Sequence, residues 1–457
     1  MVFKVYFDLE FGVFRMDAER AAELALSLGA EYAEVRLERL IKTEISGSDE
    51  INVSARSTGG FGVRVLAKGS WGFASVTSED DLEWAVRKAL KLARVGEGSV
   101  KLAEIKPVRD RVGSGMRVKP SDVPLEEKVE AVRALVDDLP DASRRVVKYS
   151  DFSGFKRLVT SEGTEIEWEL GAISFEADLA VSSDGRSAWL FSLTGSVERG
   201  FEAVEVMRER VLTEIRGQLE CFLHGERPKL RDVPVLLSPH FAGMIAHEAL
   251  GHLAEADELP NTPLAEKLGE SIAPEFVSLS DGNVEDGHGN DRYDDEGVPV
   301  RKAEILKNGV FNEPLVDRER AFLLGVEPNG RARAESYAFE PMVRMRNTYF
   351  EPGDWTFEEL LEEVELGYYL VSAGPGQTGL DSSFTVGVME GYVIRNGEIA
   401  EPIFGATASG RALDALPGIR GLGRELDFEN SYCGKGQVVR VSMGGPHILF
   451  ERGIRVM

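Results

Sequence analysis

The chain has 457 residues, 78 acidic against 53 basic, and a formal net charge of -25, so it is long enough for two or three domains with cores of their own. Charge of that sign repels a polyanion at long range and excludes direct nucleic-acid binding as the main activity. Two cysteines in such a length exclude a disulfide framework, and they point to a reducing, cytoplasmic setting or to a thiol used for chemistry.

Residues 1–14 are interrupted by Lys4, Asp8 and Glu10 and do not read as a secretory signal. An amphipathic helix is expected from Asp17, its N-cap, to Leu28, stopped by Gly29. Alternating strands follow, marked by Ala33, Val35 and Leu37, then by Phe61, Val63 and Val65, with a hairpin at Lys68-Gly69 leading to Trp71 and Phe73. Ser78-x-x-Asp81 resembles a capping box and opens a helix carrying Leu82, Val86, Ala89 and Ala93. After a linker at 95–123, rich in Gly, Pro and charge, the order repeats. It comprises a helix at 124–139, strands with Ile166, Trp168 and Leu170 and with Phe175, Ala177 and Leu179, a hairpin at Asp184-Gly185, and a helix from about Val197 to Leu223. Cys221 sits in that last helix on a face with Val211, Ile215 and Phe222, where a small buried thiol is the simpler account. The expected class is therefore α+β. It has an N-terminal domain at 1–225 holding two α-β(3-4)-α units (about 17–95 and 124–223) that share a mixed or antiparallel sheet with helices on one side, then a β-rich C-terminal domain at 226–457.

The second half opens on a short apolar strand at 233–237, then Ser238 as N-cap and Pro239 at the first helical position. The apolar run at 234–246 is too short to span a bilayer. That helix ends in His247-Glu248-Ala249-Leu250-Gly251-His252, two imidazoles suited to zinc with a carboxylate placed to take a proton from a metal-activated water. Side chains five apart lie roughly 140° apart on a regular α-helix and could not share an ion, whereas one π-type turn restores their alignment. Gly251, just before His252, makes that distortion cheaper. A third ligand is required. Cys433, in a glycine-rich turn with Lys435 beside it to favour the thiolate, is preferred, with Cys221, His240, His288, His447, Glu255 and Asp257 as alternatives.

Beyond the metal helix the chain reads as strands and long loops, with turns at Asn308-Gly309 and Asn396-Gly397 and a capped helix from Thr356-x-x-Glu359 to Gly367. The acidic stretch 281–296 holds Asp286 where a calcium loop needs glycine, and reads as an ordinary solvated loop. No Gly-Lys-Ser/Thr follows Gly374-Pro375-Gly376-Gln377-Thr378-Gly379, so these glycines are expected to let backbone approach an extended peptide or the metal centre instead of a phosphate.

The segment from His247 to Asp257 resembles the signature of the TldD/PmbA family of zinc metalloproteases, also called modulators of DNA gyrase. The likeness continues through Asp294-Asp295-Glu296-Gly297-Val298-Pro299, Lys307-Asn308-Gly309, Gly330-Arg331-Ala332-Arg333-Ala334-Glu335-Ser336-Tyr337, Arg344-Met345-Arg346-Asn347-Thr348-Tyr349, Gly374-Pro375-Gly376-Gln377 and Tyr432-Cys433-Gly434-Lys435-Gly436-Gln437. It covers the chain from about Ala18 onward; Leu253 and Ala254 depart from the usual Gly-Leu pair. The resemblance implies the catalytic, TldD-like branch, with one zinc ion held by His247, His252 and Cys433, Glu248 as general base, and Glu255 and Asp257 as partners of the histidines. It also implies short or unfolded polypeptide substrates, admitted to a site enclosed by two subunits, either a homodimer or a heterodimer with a TldE-like chain. The mechanism expected is metal-assisted peptide hydrolysis. Arg331, Arg333, Tyr337 and His288 are unranked candidates to stabilise the oxyanion. The competing readings are a non-catalytic, partner-binding scaffold with a structural or empty site, and a zinc amidase acting on small molecules.

Overall fold

Long two-residue periodicity in the first half produces one twisted sheet in the computed structural model, which describes residues 18–48 and 50–457. The first unit runs α1 (Ala18–Ser27), β1 (Tyr32–Gly47), β2 (Ile51–Ala67), β3 (Ser70–Val76) and α2 (Leu82–Ala93). The expected N-cap Asp17 lies outside the described residues. Next come β4 (Arg109–Val112), α3 (Leu125–Asp138), β5 (Arg144–Thr160), β6 (Glu165–Ser183), β7 (Arg186–Ser196) and α4 (Val204–His224). The strand order is β3-β2-β1-β5-β6-β4, with β7 also paired to β6. The two units join because β1 and β5 pair antiparallel from Glu34↔Thr160 to Gly47↔Val147.

Three local expectations shift. The linker is not all connection, since β4 adds a parallel edge strand to β6 through Arg109↔Glu165. Ser78 caps a 3-10 turn, Glu79–Asp81, by accepting from Asp80 N–H at 3.2 Å, and α2 starts after it. The last helix begins at Val204, behind a 3-10 turn at Phe201–Ala203, because Gly200 and the turn absorb the chain reversal. The hairpins follow their dipeptides: Lys68, Asp184, Asn308 and Asn396 take φ near 50° and the glycine after each is also positive, as a type I′ turn requires.

Side chains alternate across a strand, so β1 residues Ala33, Val35, Leu37 and Ile45 share a face. The first three join an apolar core with α1 and α2. Ile45 joins a second core with α3, α4, Tyr149, Phe175 and Leu179. The helices thus cover one face. On the opposite face, Leu158, Ile166 and Trp168 pack against Tyr293 from the second half.

That contact overturns the solvated reading of the stretch 281–296. Asp281, Asp294, Asp295 and Glu296 are buried. Burial of a charge demands a partner, and the sheet supplies several. Arg64 bonds Glu296 at 2.6 Å, Lys156 bonds Asp295 at 2.9 Å, and Trp168 donates to Asp291 at 2.7 Å. Asp291, Asp295 and Glu296 thus dock the second half on the sheet, while Asp281 and Asp294 are satisfied inside the second half by Arg331 and Thr348 and by backbone N–H groups.

The second half holds two further large sheets. In one, Val235–Leu237 lies between Leu366–Thr378, parallel, and Ile448–Phe450, antiparallel. The helix opened by Thr356 makes a full capping box and ends at Glu362, earlier than Gly367, because residues from Leu366 are drawn into the strand. In the other, Leu279–Asp281, Asn347–Phe350, Gln437–Gly445 and Asp427–Lys435 run side by side. A large apolar core joins both sheets around the helix Pro239–Ala246, our α5.

Candidate metal centre

Ser238 begins the site. Its Oγ accepts from Phe241 N–H at 3.1 Å and donates to Val371 O at 2.5 Å, so one hydroxyl caps α5 and ties it to the neighbouring strand. Phe241, Ala242, Ile245 and Ala246 are buried, and Gly243 lets the helix press on Gly444, whose N would lie 2.3 Å from an added Cβ. The helix then widens into a π turn, His247–Gly251, in which His252 N–H reaches back five residues to His247 O. The expected distortion therefore lies between the two histidines. Gly251 serves it differently from expectation. Its backbone is ordinary helix (φ -56°, ψ -52°), and what its missing side chain makes room for is Met345, whose Sδ would lie 2.1 Å from an added Cβ and would have to shift.

The turn brings the imidazoles together, with ring centroids 5.0 Å apart and planes at 82°. Cys433 arrives from a distant sheet. It lies in the strand Asp427–Lys435, opposite Val439, two residue pairs before the hairpin end instead of in an open loop. Its Sγ stands 3.3 Å from His252 Nε2, and one ligand atom each from His247, His252 and Cys433 lie within 4.8 Å of one another. His247 and Cys433 are buried, and His247 Nδ1 has no hydrogen-bond partner among the described residues. An orphaned buried nitrogen is costly, and two imidazoles with a thiolate are a donor set that suits zinc. These residues fit a metal ion.

Electrostatics agree. Burial pushes the Cys433 thiol up, but His247 and His252 outweigh it and bring the pKa down to about 5. Burial pushes His252 down, but Cys433 and Glu255 outweigh it and raise the pKa to about 10. Without a metal the pair is thiolate and imidazolium, and a cation would take the place of that proton. Glu255 Oε2 lies 2.9 Å from His252 Nδ1, which leaves Nε2 to face the sulfur. Asp257 does not reach a histidine; both its oxygens bind Lys435 at 2.9 Å. Glu248 Oε2 accepts from Thr378 Oγ1 at 3.2 Å, so the glycine-rich segment does come to the metal helix, as a strand end.

The alternative ligands are occupied elsewhere. Cys221 Sγ lies 3.4 Å from Gly391 O, and burial pushes its pKa to about 11. His240 pairs with Glu429, and His447 with Tyr369 Oη at 3.1 Å. Of the oxyanion candidates, Arg331 is bound to Asp281, Arg333 to Met345 O and Arg440 O, and His288 Nδ1 to Ser431 O, while Tyr337 packs on Gly60 of β2. Thr378 and Arg344, which donates to Cys433 O, were not singled out by sequence; both act across long separations that no periodicity records.

Burial, then Arg440, lowers the His288 pKa to about 3. The unfolded chain binds a proton below pH 6.5 that the folded chain refuses, so stability present above 6.5 is lost as pH falls toward 3. Between pH 6.5 and 5 this site should cost about 2 kcal/mol. Urea titrations at the two pH values should show a shallower loss in His288→Gln, and parallel losses would exclude His288 as a source.

The PmbA/TldA metallopeptidase domain 1 model matches residues 33–93, the central domain model residues 118–212, and the C-terminal domain model residues 230–456. A protein of Saccharolobus solfataricus named zinc metalloprotease TldD homolog is 33% identical over 440 residues, 94% of this chain and 97% of its own length. A protein of Methanothermobacter thermautotrophicus named metalloprotease is 35% identical over 430 residues, covering 92% of this chain and 94% of its own. Among solved structures, TldE from Thermococcus kodakarensis shares the fold, with a TM-score of 0.73 at 19% identity over 96% of this chain and 99% of that one. Matched by models of all three segments and by relatives along nearly its whole length, the chain belongs to the PmbA/TldD family of metallopeptidases.

Proposed function

We propose that the chain is a zinc peptidase acting on short or unfolded polypeptides. The carrying observation is that His247, His252 and Cys433 bring ligand atoms within 4.8 Å of one another, the two histidines across a π turn in the helix. His247, His252 and Cys433 would hold one zinc ion, which when bound supplies Lewis acidity toward a water and toward the scissile carbonyl. Glu248, adjacent to His247 in the chain, would take the proton from the attacking water and return it to the departing amine. Thr378 steadies its carboxylate by donating to one oxygen. Glu255 orients His252 through Nδ1.

The same reading includes a two-subunit assembly, either two copies of this chain or this chain with a TldE-like partner, and a division near residue 225 supported by separate apolar cores. It places the protein in the cytoplasm, supported by two unpaired cysteines. Among the described residues no helix is long and apolar enough to cross a membrane.

Metal analysis with cleavage of a random peptide mixture tests the function. One zinc per chain is expected, with cleavage lost on chelation and regained on adding zinc. Cleavage indifferent to the chelator would overturn the proposal.

A further inference from the structure

The hairpin end that follows Cys433 is open at both its glycines. Among the described residues no heavy atom lies within 4 Å of where a side chain would begin at Gly434 or Gly436, and Gly436 turns with φ +69°. Apolar burial therefore does not locate this end of the strand. Polar contacts do.

Gln437 and Val438 bond Glu335 and Glu340 on one side, and two cations supply the rest. Arg344, fully buried, donates from Nη2 to Cys433 O at 2.6 Å and from Nη1 to Gln437 O at 2.7 Å, one carbonyl on each side of the turn. Its planar fork suits two acceptors at fixed spacing. Lys435 Nζ lies 3.0 Å from Glu255 Oε2 and 2.9 Å from each Asp257 oxygen. Glu255 Oε2 is also the atom facing His252 Nδ1 at 2.9 Å, while its Oε1 accepts from Met345 N–H at 3.1 Å. One buried carboxylate thus ties together the histidine ring, the hairpin end and the segment just before the strand Asn347–Phe350.

We infer that Lys435 and Arg344 are positioning residues that clamp the Cys433 hairpin to the end of the metal helix and so set where the sulfur stands relative to the two imidazoles. Arg344 fixes the shape of the turn, and Lys435 fixes its place. This rests on the reading of His247, His252 and Cys433 as the metal ligands. Without Lys435, Glu255 and Asp257 lose their contact with the hairpin end, which then keeps only bonds that lead away from the metal helix, those of Arg344 and those that Gln437 and Val438 make with Glu335 and Glu340. The 3.3 Å approach of sulfur to His252 Nε2 then becomes one arrangement among several, which weakens a site whose ligands must converge before the ion arrives.

Cobalt(II) is the probe, loaded into the full-length protein, because a thiolate ligand adds a near-ultraviolet sulfur-to-cobalt band to the d–d spectrum. Zinc affinity is measured alongside, by competition with a chromophoric chelator. Lys435→Met is expected to weaken zinc binding about 10- to 100-fold, the usual effect of losing an outer partner of metal ligands, and to reduce the sulfur band relative to the d–d bands. Lys435→Arg should restore most of both losses. A role confined to stability would lower the melting temperature and leave the cobalt spectrum unchanged. If the parent shows the sulfur band and Lys435→Met keeps that band and the parental affinity, the clamp is wrong. If the parent lacks the band and matches Cys433→Ser, the ligand reading fails and takes the clamp with it. Should Lys435→Met not fold, Asp257→Asn decides, since it removes the negative charge and one of the two oxygens that face Lys435 and leaves Glu255 in place. A smaller loss in the same direction supports the clamp, and an unchanged spectrum and affinity overturns it.

Discussion

Changing Glu248 to glutamine is expected to lower peptide cleavage about 100- to 10,000-fold, the range that a general acid–base group supplies, while zinc content stays at the parental level. At 1.36 kcal/mol per tenfold, this is about 3–5 kcal/mol of transition-state stabilisation. The substitution suits the question because glutamine has nearly the shape of glutamate and its amide oxygen still accepts from Thr378, so the π turn and the three ligands are left undisturbed. What it loses is the capacity to take a proton. The fall should therefore appear in kcat more than in KM. A scaffold with a structural metal would keep its function unchanged in this variant. Full cleavage in Glu248→Gln would remove the residue from the mechanism, and loss of zinc would reassign it to holding the site together.

Replacing Asp281 with alanine should destabilise the second half by about 3–5 kcal/mol, the cost of removing one partner from a buried ion pair. Asp281 is fully buried and accepts from Arg331 Nε at 2.6 Å, Thr348 Oγ1 at 2.7 Å and Arg346 N–H at 2.9 Å. Alanine leaves the Arg331 guanidinium, itself without exposure, facing only backbone carbonyls. The damage should reach the metal centre. Asp281 ends the strand that pairs with Asn347–Phe350, which pairs with Gln437–Gly445, which pairs with the strand carrying Cys433. In urea the midpoint should fall with the slope unchanged. Adding Arg331→Met should recover part of the loss, since the unpaired charge is then gone. A midpoint within experimental error of the parent would show that the pair contributes little and that hydrogen bonds in the surrounding sheet suffice.

Where causes are local, the linear order was legible. Positive-φ dipeptides placed the hairpins, Ser238-Pro239 placed the start of the metal helix, and alternation placed Ala33, Val35 and Leu37 on the covered face. The five-residue spacing of His247 and His252 required a π turn, since a regular helix would have pointed them apart, and the π turn lies between them. The solvated reading of residues 281–296 failed for an equally physical reason. A run of carboxylates looks alike in a loop facing water and in one facing Arg64 and Lys156, and only the partners distinguish the two.

By itself, then, the sequence determined the class of fold, the start of the helix that carries His247 and the π turn that aligns His247 with His252, because capping, turn preference and side-chain period act within a few residues. The sequence also preferred Cys433 to Cys221; only the tertiary structure decided how a sulfur 181 residues from His252 comes to stand 3.3 Å from its ring. That approach depends on sheet pairing between strands far apart in the chain and on contacts such as Arg344 to Cys433 O and Lys435 to Glu255, which join atoms brought together only by folding.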